Sequence, residues 1–246
     1  MPDLDDLLAR WQLTRGPEYP SGAGGRVLQV ERSDGSPAVL KLGLPHREAV
    51  QEPDALERWD GDGAVRLLER DDERSAMLLE RCEPGTPLSR LETAAAMDVL
   101  AELLPRLWTR ADGFRGISEE IDAWDESGEL AGERLSLARE LAGTQGELVL
   151  CNQDLHGDNV LAAQREPWLV IDPKPLAAER EFQAAPIVRS GELGHTRRQA
   201  LYRLDRLCAD LGLDRERARL WTIVQTTAWS EGATLPSHGA VLEWLS

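Results

Sequence analysis

The stretch from Glu147 to Lys174 constrains this chain more than any other. Residues 147–151 form a short apolar run that reads as a strand, and residues 152–158 read as a polar loop. Residues 159–163 and 168–172 then read as two strands joined by Gln164, Arg165, Glu166 and Pro167. A hairpin at that point returns the chain on itself. Asp172 is thereby expected beside Asn159, where a carboxylate and an amide oxygen can reach one cation. Asp154 stands in the loop just ahead of them.

These three groups have the right chemistry for phosphoryl transfer. One carboxylate can take the proton of an attacking hydroxyl, while an amide and a second carboxylate hold a divalent ion against the phosphates. Plainer readings exist for each alone: an Asx-turn for Asp154, a strand-edge cap for Asn159, a turn before Pro173 for Asp172. The segment from Asn152 to Asn159, with Ile171-Asp172-Pro173-Lys174 after it, resembles the catalytic loop of the aminoglycoside phosphotransferases. Their streptomycin kinase and hydroxyurea phosphotransferase branch is the most similar. Pro37-Ala38-Val39-Leu40-Lys41, Gly63-Ala64-Val65-Arg66-Leu67-Leu68 and Leu78-Leu79-Glu80-Arg81 extend the resemblance, in order, over nearly the whole chain.

The resemblance implies an α+β, two-lobed protein-kinase-like fold. Residues 1–82 would form a small β-rich N-lobe with one main helix, and residues 83–246 a larger, mainly helical C-lobe. It implies ATP and Mg²⁺ as cofactors, Asp154 as catalytic base, and Asn159 and Asp172 as metal ligands. Lys41 would engage the nucleotide phosphates with Glu52 as its partner, Glu48 being the alternative. Backbone groups of Glu80 and Cys82 would meet adenine, and Gly24, in the glycine-rich stretch from Ser21 to Gly25, would lie over the phosphates. His156 resembles the family's second loop histidine and takes a supporting role. The acceptor is expected to be a small hydroxyl compound, such as streptomycin or a related amino sugar, in a resistance-type reaction. A nucleotide-binding module without transfer activity, or a kinase for another small alcohol or sugar, is the alternative.

Two positions depart from the family pattern. Asn152-Gln153 stand where a histidine and glycine usually precede the catalytic aspartate, and Gln183 stands where an aspartate usually follows an aromatic residue. In kinase-like folds both places brace the catalytic loop. Their joint change predicts a different but coherent brace, amide to amide.

Composition narrows the partners. Of 28 basic residues only Lys41 and Lys174 are lysines, and both fall on the motifs above. A net charge of −16 argues against general nucleic-acid binding and suits a cationic small substrate. Between Glu119 and Glu133 lie seven carboxylates and no basic residue, which reads either as a receptor for cationic acceptors or as a solvated helix face. No apolar run is long enough for a bilayer, and the acidic opening Met1-Pro2-Asp3 lacks signal-peptide character. Three scattered cysteines suggest neither disulfides nor zinc. A cytoplasmic monomer, away from membranes, is expected.

Periodicity predicts helices over residues 3–13 and 45–59, the latter kinked or restarted at Pro53. Strand pairs are expected at 26–32 with 37–42 and at 65–70 with 75–81. The segment Glu83-Pro84-Gly85-Thr86-Pro87 reads as the hinge between lobes. Further helices are expected at 89–108, 118–125, 133–142, 197–211 and 214–229.

Overall fold

The computed structural model describes residues 4–20, 25–43, 46–230 and 236–246. It divides into two compact units, one of residues up to Thr86 with Leu161–Ile171, the other of Pro87–Val160 with Asp172–Ser246.

The first unit is built on a five-stranded antiparallel sheet. Its elements are α1 (Leu4–Arg10), β1 (Thr14–Glu18), β2 (Arg26–Glu31), β3 (Pro37–Leu42), α2 (Glu52–Trp59), β4 (Leu67–Asp71) and β5 (Ala76–Glu80), with strand order β1-β2-β3-β5-β4. The β2–β3 hairpin turns where Asp34 Oδ1 accepts from the Ser36 N–H at 2.9 Å, a local bond that closes the turn. Leu28 and Val30 of β2, Ala38, Leu40 and Leu42 of β3 and Leu78 of β5 alternate into a core shared with Leu4, Leu7 and Leu13. The same alternation puts Lys41 on the opposite face from Leu40 and Leu42.

Two expectations change here. The helix predicted from residue 45 forms only from Glu52, with Pro53 in its first turn, where a missing N–H breaks no helical bond. β1 is a further strand, beyond those expected from the sequence. It survives as an edge strand, where proline is tolerated. Gly16 is needed there, since a Cβ would meet the Gln29 carbonyl oxygen at 2.9 Å.

In the second unit come α3 (Thr93–Leu107), α4 (Ile117–Glu126), α5 (Gly132–Gly143) and β6 (Leu148–Asn152). The short strands β7 (Val160–Ala162) and β8 (Trp168–Val170) follow, then β9 (Pro175–Glu179), α6 (Ala184–Arg189), α7 (Arg197–Leu211), α8 (Arg215–Ala228) and α9 (Pro236–Leu245). β6 pairs antiparallel with β9, from Leu148 opposite Glu179 to Asn152 opposite Pro175. Trp124, Phe182, Trp221 and Leu176 centre the core, and the Phe182 and Trp221 rings meet edge to face at 5.4 Å. Side-chain caps fix the helix starts: Thr196 accepts from the Gln199 N–H at 3.2 Å, and Asp214 from the Arg217 N–H at 3.0 Å.

The expected division after residue 82, with all of 83–246 in one lobe, needs correction. The hairpin Leu161–Ile171 belongs with the first unit. Main-chain bonds join Val65 N–H to Val170 O at 3.0 Å and Val170 N–H to Gly63 O at 2.9 Å. Arg165 adds a tether, donating to the Glu80 carboxylate at 2.8 and 3.0 Å and to the carbonyls of Gly61 at 2.8 Å and Ala64 at 3.0 Å. Among the described residues, no helix is long and apolar enough to cross a membrane.

Candidate active site

In the first unit, Lys41 on β3 meets Glu52 at the start of α2. Its Nζ lies 2.7 Å from Oε1 and 2.6 Å from Oε2, and Glu52 is only 1% exposed. The alternative partner, Glu48, lies 3.7 Å from His46 instead. A buried carboxylate here is held by a cation and by the positive end of the helix. The Glu80 side chain is occupied by Arg165 and by the Arg66 N–H at 3.0 Å, and its own N–H donates to the Arg66 carbonyl at 2.9 Å. Burial first, and then the Glu80 charge, push the Cys82 thiol up to about 12, which leaves it protonated and unreactive. Gly24 lies outside the described residues.

The loop after β6 lies in the second unit, and the brace beneath it is visible. Gln183, 1% exposed, accepts from the Asn152 N–H through Oε1 and donates to the Asn152 carbonyl through Nε2, both at 2.7 Å. Asn152 Oδ1 in turn accepts from the N–H groups of Asp154 and Lys174, each at 3.0 Å. Gln153 N–H donates to Lys174 O at 2.9 Å, and Gln225 Nε2 to Gln153 O at 3.0 Å. The brace is therefore coherent, with one correction to its expected form. A side-chain amide pairs with a peptide group, because a primary amide matches the donor and acceptor of a peptide edge-on.

Asp154 is the centre of this arrangement. Its Oδ2 accepts from Lys174 Nζ at 2.7 Å, while His156 Nε2 and a nitrogen of Arg189 each lie 4.0 Å from Oδ1. Asn159 Nδ2 donates to the Asp154 carbonyl at 3.0 Å. That bond commits the amide nitrogen to the loop and leaves Oδ1 as the ligand end. Asn159 and Asp172 flank the hairpin, and Asp172 takes a left-handed backbone with φ 49°, which aspartate tolerates better than most residues. An amide oxygen and a carboxylate are hard donors of the kind magnesium takes with substrate phosphates, so the residues present fit that ion.

His156 Nδ1 lies 2.8 Å from Glu192 Oε1, which also accepts from the Gly157 N–H at 3.0 Å and the Ser190 hydroxyl at 2.6 Å. Burial opposes charge on His156, but the Glu192 bond and the carboxylates of Asp154 and Asp158 outweigh it and raise its pKa. Burial likewise opposes charge on Glu192, yet its bonds to His156 and Ser190 bring it down to about 2. His156, Asp158 and Glu192 could geometrically gather round a metal, but three donors already share Glu192 Oε1.

Sequence reasoning missed Arg189, Glu192 and Gln225. Arg189 is buried, donates to Gln225 Oε1 at 2.9 Å and stacks 4.2 Å from the Trp229 ring centre. In a chain this rich in arginine, nothing in the sequence marks it out. The acidic stretch is partly consumed internally: Glu120 is buried against Arg115, and Asp125 meets Arg139 at 2.7 Å.

Comparison with known proteins identifies the family. A family model described as aminoglycoside/hydroxyurea antibiotic resistance kinase matches residues 10–233. The chain is 42% identical to the hydroxyurea phosphotransferase of Kitasatospora aureofaciens, over 91% of this chain and 71% of that protein. It is 40% identical to the streptomycin 6-kinase of Streptomyces griseus, over 96% of this chain and 86% of that one. Among solved structures, the choline kinase LicA from Streptococcus pneumoniae matches with a TM-score of 0.70 at 15% identity, covering 98% and 97% of the two chains, a likeness of fold. The expected α+β kinase-like fold stands, and the chain belongs to the aminoglycoside/hydroxyurea antibiotic resistance kinase family.

Proposed function

We propose that this chain moves the γ-phosphoryl group of ATP to a hydroxyl of a small molecule, with Asp154 as the group that orients and deprotonates the acceptor. The acceptor oxygen forms a bond to the γ-phosphorus while the bond from phosphorus to the β,γ-bridging oxygen breaks. That electron pair leaves on ADP, and the acceptor proton passes to Asp154. Asn159 and Asp172 would hold Mg²⁺, which when bound neutralises phosphate oxygens. Lys41, fixed by Glu52, would steady the α- and β-phosphates, and the backbone of Glu80 and Cys82 would meet adenine.

One observation supports this reading above the others: the Asp154 peptide is fixed on both sides, by Asn152 Oδ1 and Asn159 Nδ2 at 3.0 Å each. Catalysis by positioning requires such a fixed carboxylate. An inactive nucleotide-binding module drew its support from the changes at Asn152, Gln153 and Gln183. Gln183 and Asn152 brace each other, which removes that part of its support, and the buried Gln153 side-chain amide takes no part in the brace.

For the acceptor, streptomycin or a related amino sugar comes first, in keeping with the family and the net charge of −16. The flanking of Asp154 by Lys174 and Arg189 favours a second reading, a small uncharged hydroxyl compound such as hydroxyurea. ATP and the free thiols of Cys82, Cys151 and Cys208 fit a reducing cytoplasm, where we expect a monomer. The test is mass spectrometry after incubation with Mg²⁺-ATP and a panel of streptomycin, other aminoglycosides and hydroxyurea, with Asp154→Asn beside it. A single added phosphoryl group that needs the intact protein supports the proposal. Transfer unchanged in Asp154→Asn would overturn the role of Asp154, and no transfer to any compound would overturn the acceptor class.

A further inference from the structure

The second lysine of this chain has no part in the mechanism so far, yet it makes the shortest contact to the Asp154 carboxylate. Lys174 Nζ lies 2.7 Å from Asp154 Oδ2 and 4.9 Å from the centre of the Trp229 ring. Its backbone is locked to the catalytic loop on both sides. Its N–H donates to Asn152 Oδ1 at 3.0 Å, and its carbonyl accepts from the Gln153 N–H at 2.9 Å. The side chain keeps 26% of its surface, so a ligand can reach it.

The choice of residue is informative. With only two lysines among 28 basic residues, this chain uses arginine almost everywhere a cation is needed. A static partner for a carboxylate is better made by arginine, whose planar fork takes both oxygens at once. At Asp154 such a fork would cover the oxygen that the acceptor hydroxyl needs. An ammonium group is a compact charge with three donors, so it can hold one oxygen and still present N–H groups elsewhere. Lys174 uses Oδ2 and leaves Oδ1 open on its side.

We propose that Lys174 is a bridging cation that holds Asp154 Oδ2 and also contacts an oxygen of the phosphoryl group in transfer. This rests on the reading of Asp154 as the acceptor-orienting group. The covalent step is unchanged: the acceptor oxygen bonds to phosphorus, the bridging oxygen leaves with its electron pair on ADP, and the proton goes to Asp154. Lys174 forms and breaks no covalent bond. Its work is to set carboxylate and phosphoryl group at a fixed spacing and to balance charge that spreads onto the equatorial oxygens.

The test uses the full chain and an acceptor that the wild type phosphorylates. Turnover is measured for Lys174→Met, Lys174→Gln and Lys174→Arg, with binding of Mg²⁺-ADP and of Mg²⁺-ADP with aluminium fluoride, a mimic of the phosphoryl group in flight. Lys174→Met should lower kcat by about 10²–10³-fold and weaken the fluoride complex by a similar factor, with ADP affinity within about threefold. Lys174→Gln should behave alike and decides the matter if the methionine variant does not fold. Lys174→Arg should recover less than about a tenth of the rate, because its fork covers both oxygens. Equal weakening of both complexes, kcat near wild type in Lys174→Met, or full recovery in Lys174→Arg would reduce Lys174 to a structural ion pair. A wild type that transfers to no acceptor would overturn the kinase reading and this inference together; any of the other failures overturns this inference alone.

Discussion

Removing the Gln183 amide is the sharpest perturbation of the loop brace. Gln183→Ala deletes two hydrogen bonds of 2.7 Å and strands the N–H of Asn152, itself 1% exposed, while the Asn152 carbonyl keeps the Leu155 N–H at 3.3 Å. The stranded buried N–H costs about 1–3 kcal/mol where water cannot replace its partner, and the lost bond to the carbonyl about 1 kcal/mol net. The sum is about 2–4 kcal/mol. For a chain of this size that corresponds to a melting temperature lower by roughly 10 °C. Thermal and urea unfolding followed by far-UV circular dichroism measure it, and kcat should fall too, because Asn152 positions the N–H groups of both Asp154 and Lys174. Gln183→Glu adds a sign test. An ionised glutamate sets oxygen against the Asn152 carbonyl, whereas a protonated one restores both bonds. Its folded-state pKa must then lie above its unfolded value, so its stabilising contribution is present below the unfolded value and lost as pH rises through the folded one. Loss of less than about 1 kcal/mol in Gln183→Ala would refute the reasoning, because no buried pair of peptide groups could then depend on that amide.

Two further predictions concern ion pairs. Lys41→Met removes the ammonium from a carboxylate that is 1% exposed, so stability should fall by about 3–5 kcal/mol and nucleotide affinity should fall with it; calorimetric ADP titration giving wild-type affinity would contradict the phosphate role. Glu192 is held down to about 2, so its contribution is present above the unfolded value near 4.5 and lost as pH falls toward 2. His156 is raised, so its share is full below its unfolded value near 6.5 and lost as pH rises through the folded one. Urea unfolding between those limits should show Glu192→Gln less stable than wild type by on the order of 2–3 kcal/mol, allowing for partial exposure, with the gap closing in acid. A gap that is independent of pH would refute the pairing.

What could be read from the sequence follows where chemistry dictates residue type at fixed spacing. The loop from Asn152 to Asn159 and Asp172 beyond the hairpin could be proposed as a site for that reason. So was Lys41, because strand alternation puts it opposite the apolar face. The helices α7 and α8 were legible because Thr196 and Asp214 mark their starts and Gly212 ends the first. β9 was not, since all five of its residues are buried and leave no alternation to see. α6 is hidden for the same reason, buried along its whole length. The attachment of the 161–171 hairpin to the first unit depends on Arg165 reaching Glu80, 85 positions away in sequence. The brace was foreseen as a coupled change between these positions, and Gln183 does meet Asn152, through the peptide group rather than the side chain. Glu192 and Arg189 were missed because their meaning comes only from proximity to His156 and Asp154.

The most direct measurement pairs single-turnover phosphoryl transfer with calorimetric Mg²⁺-ADP binding in Asp154→Ala and Asp172→Ala. Asp154→Ala should lose transfer by about 10³-fold or more while ADP binds within about threefold of wild type, since the carboxylate acts on the acceptor. Asp172→Ala should lose transfer and also the magnesium-dependent part of nucleotide affinity. Transfer at the wild-type rate in Asp154→Ala, or unchanged magnesium dependence in Asp172→Ala, would contradict the assignment on which this account rests.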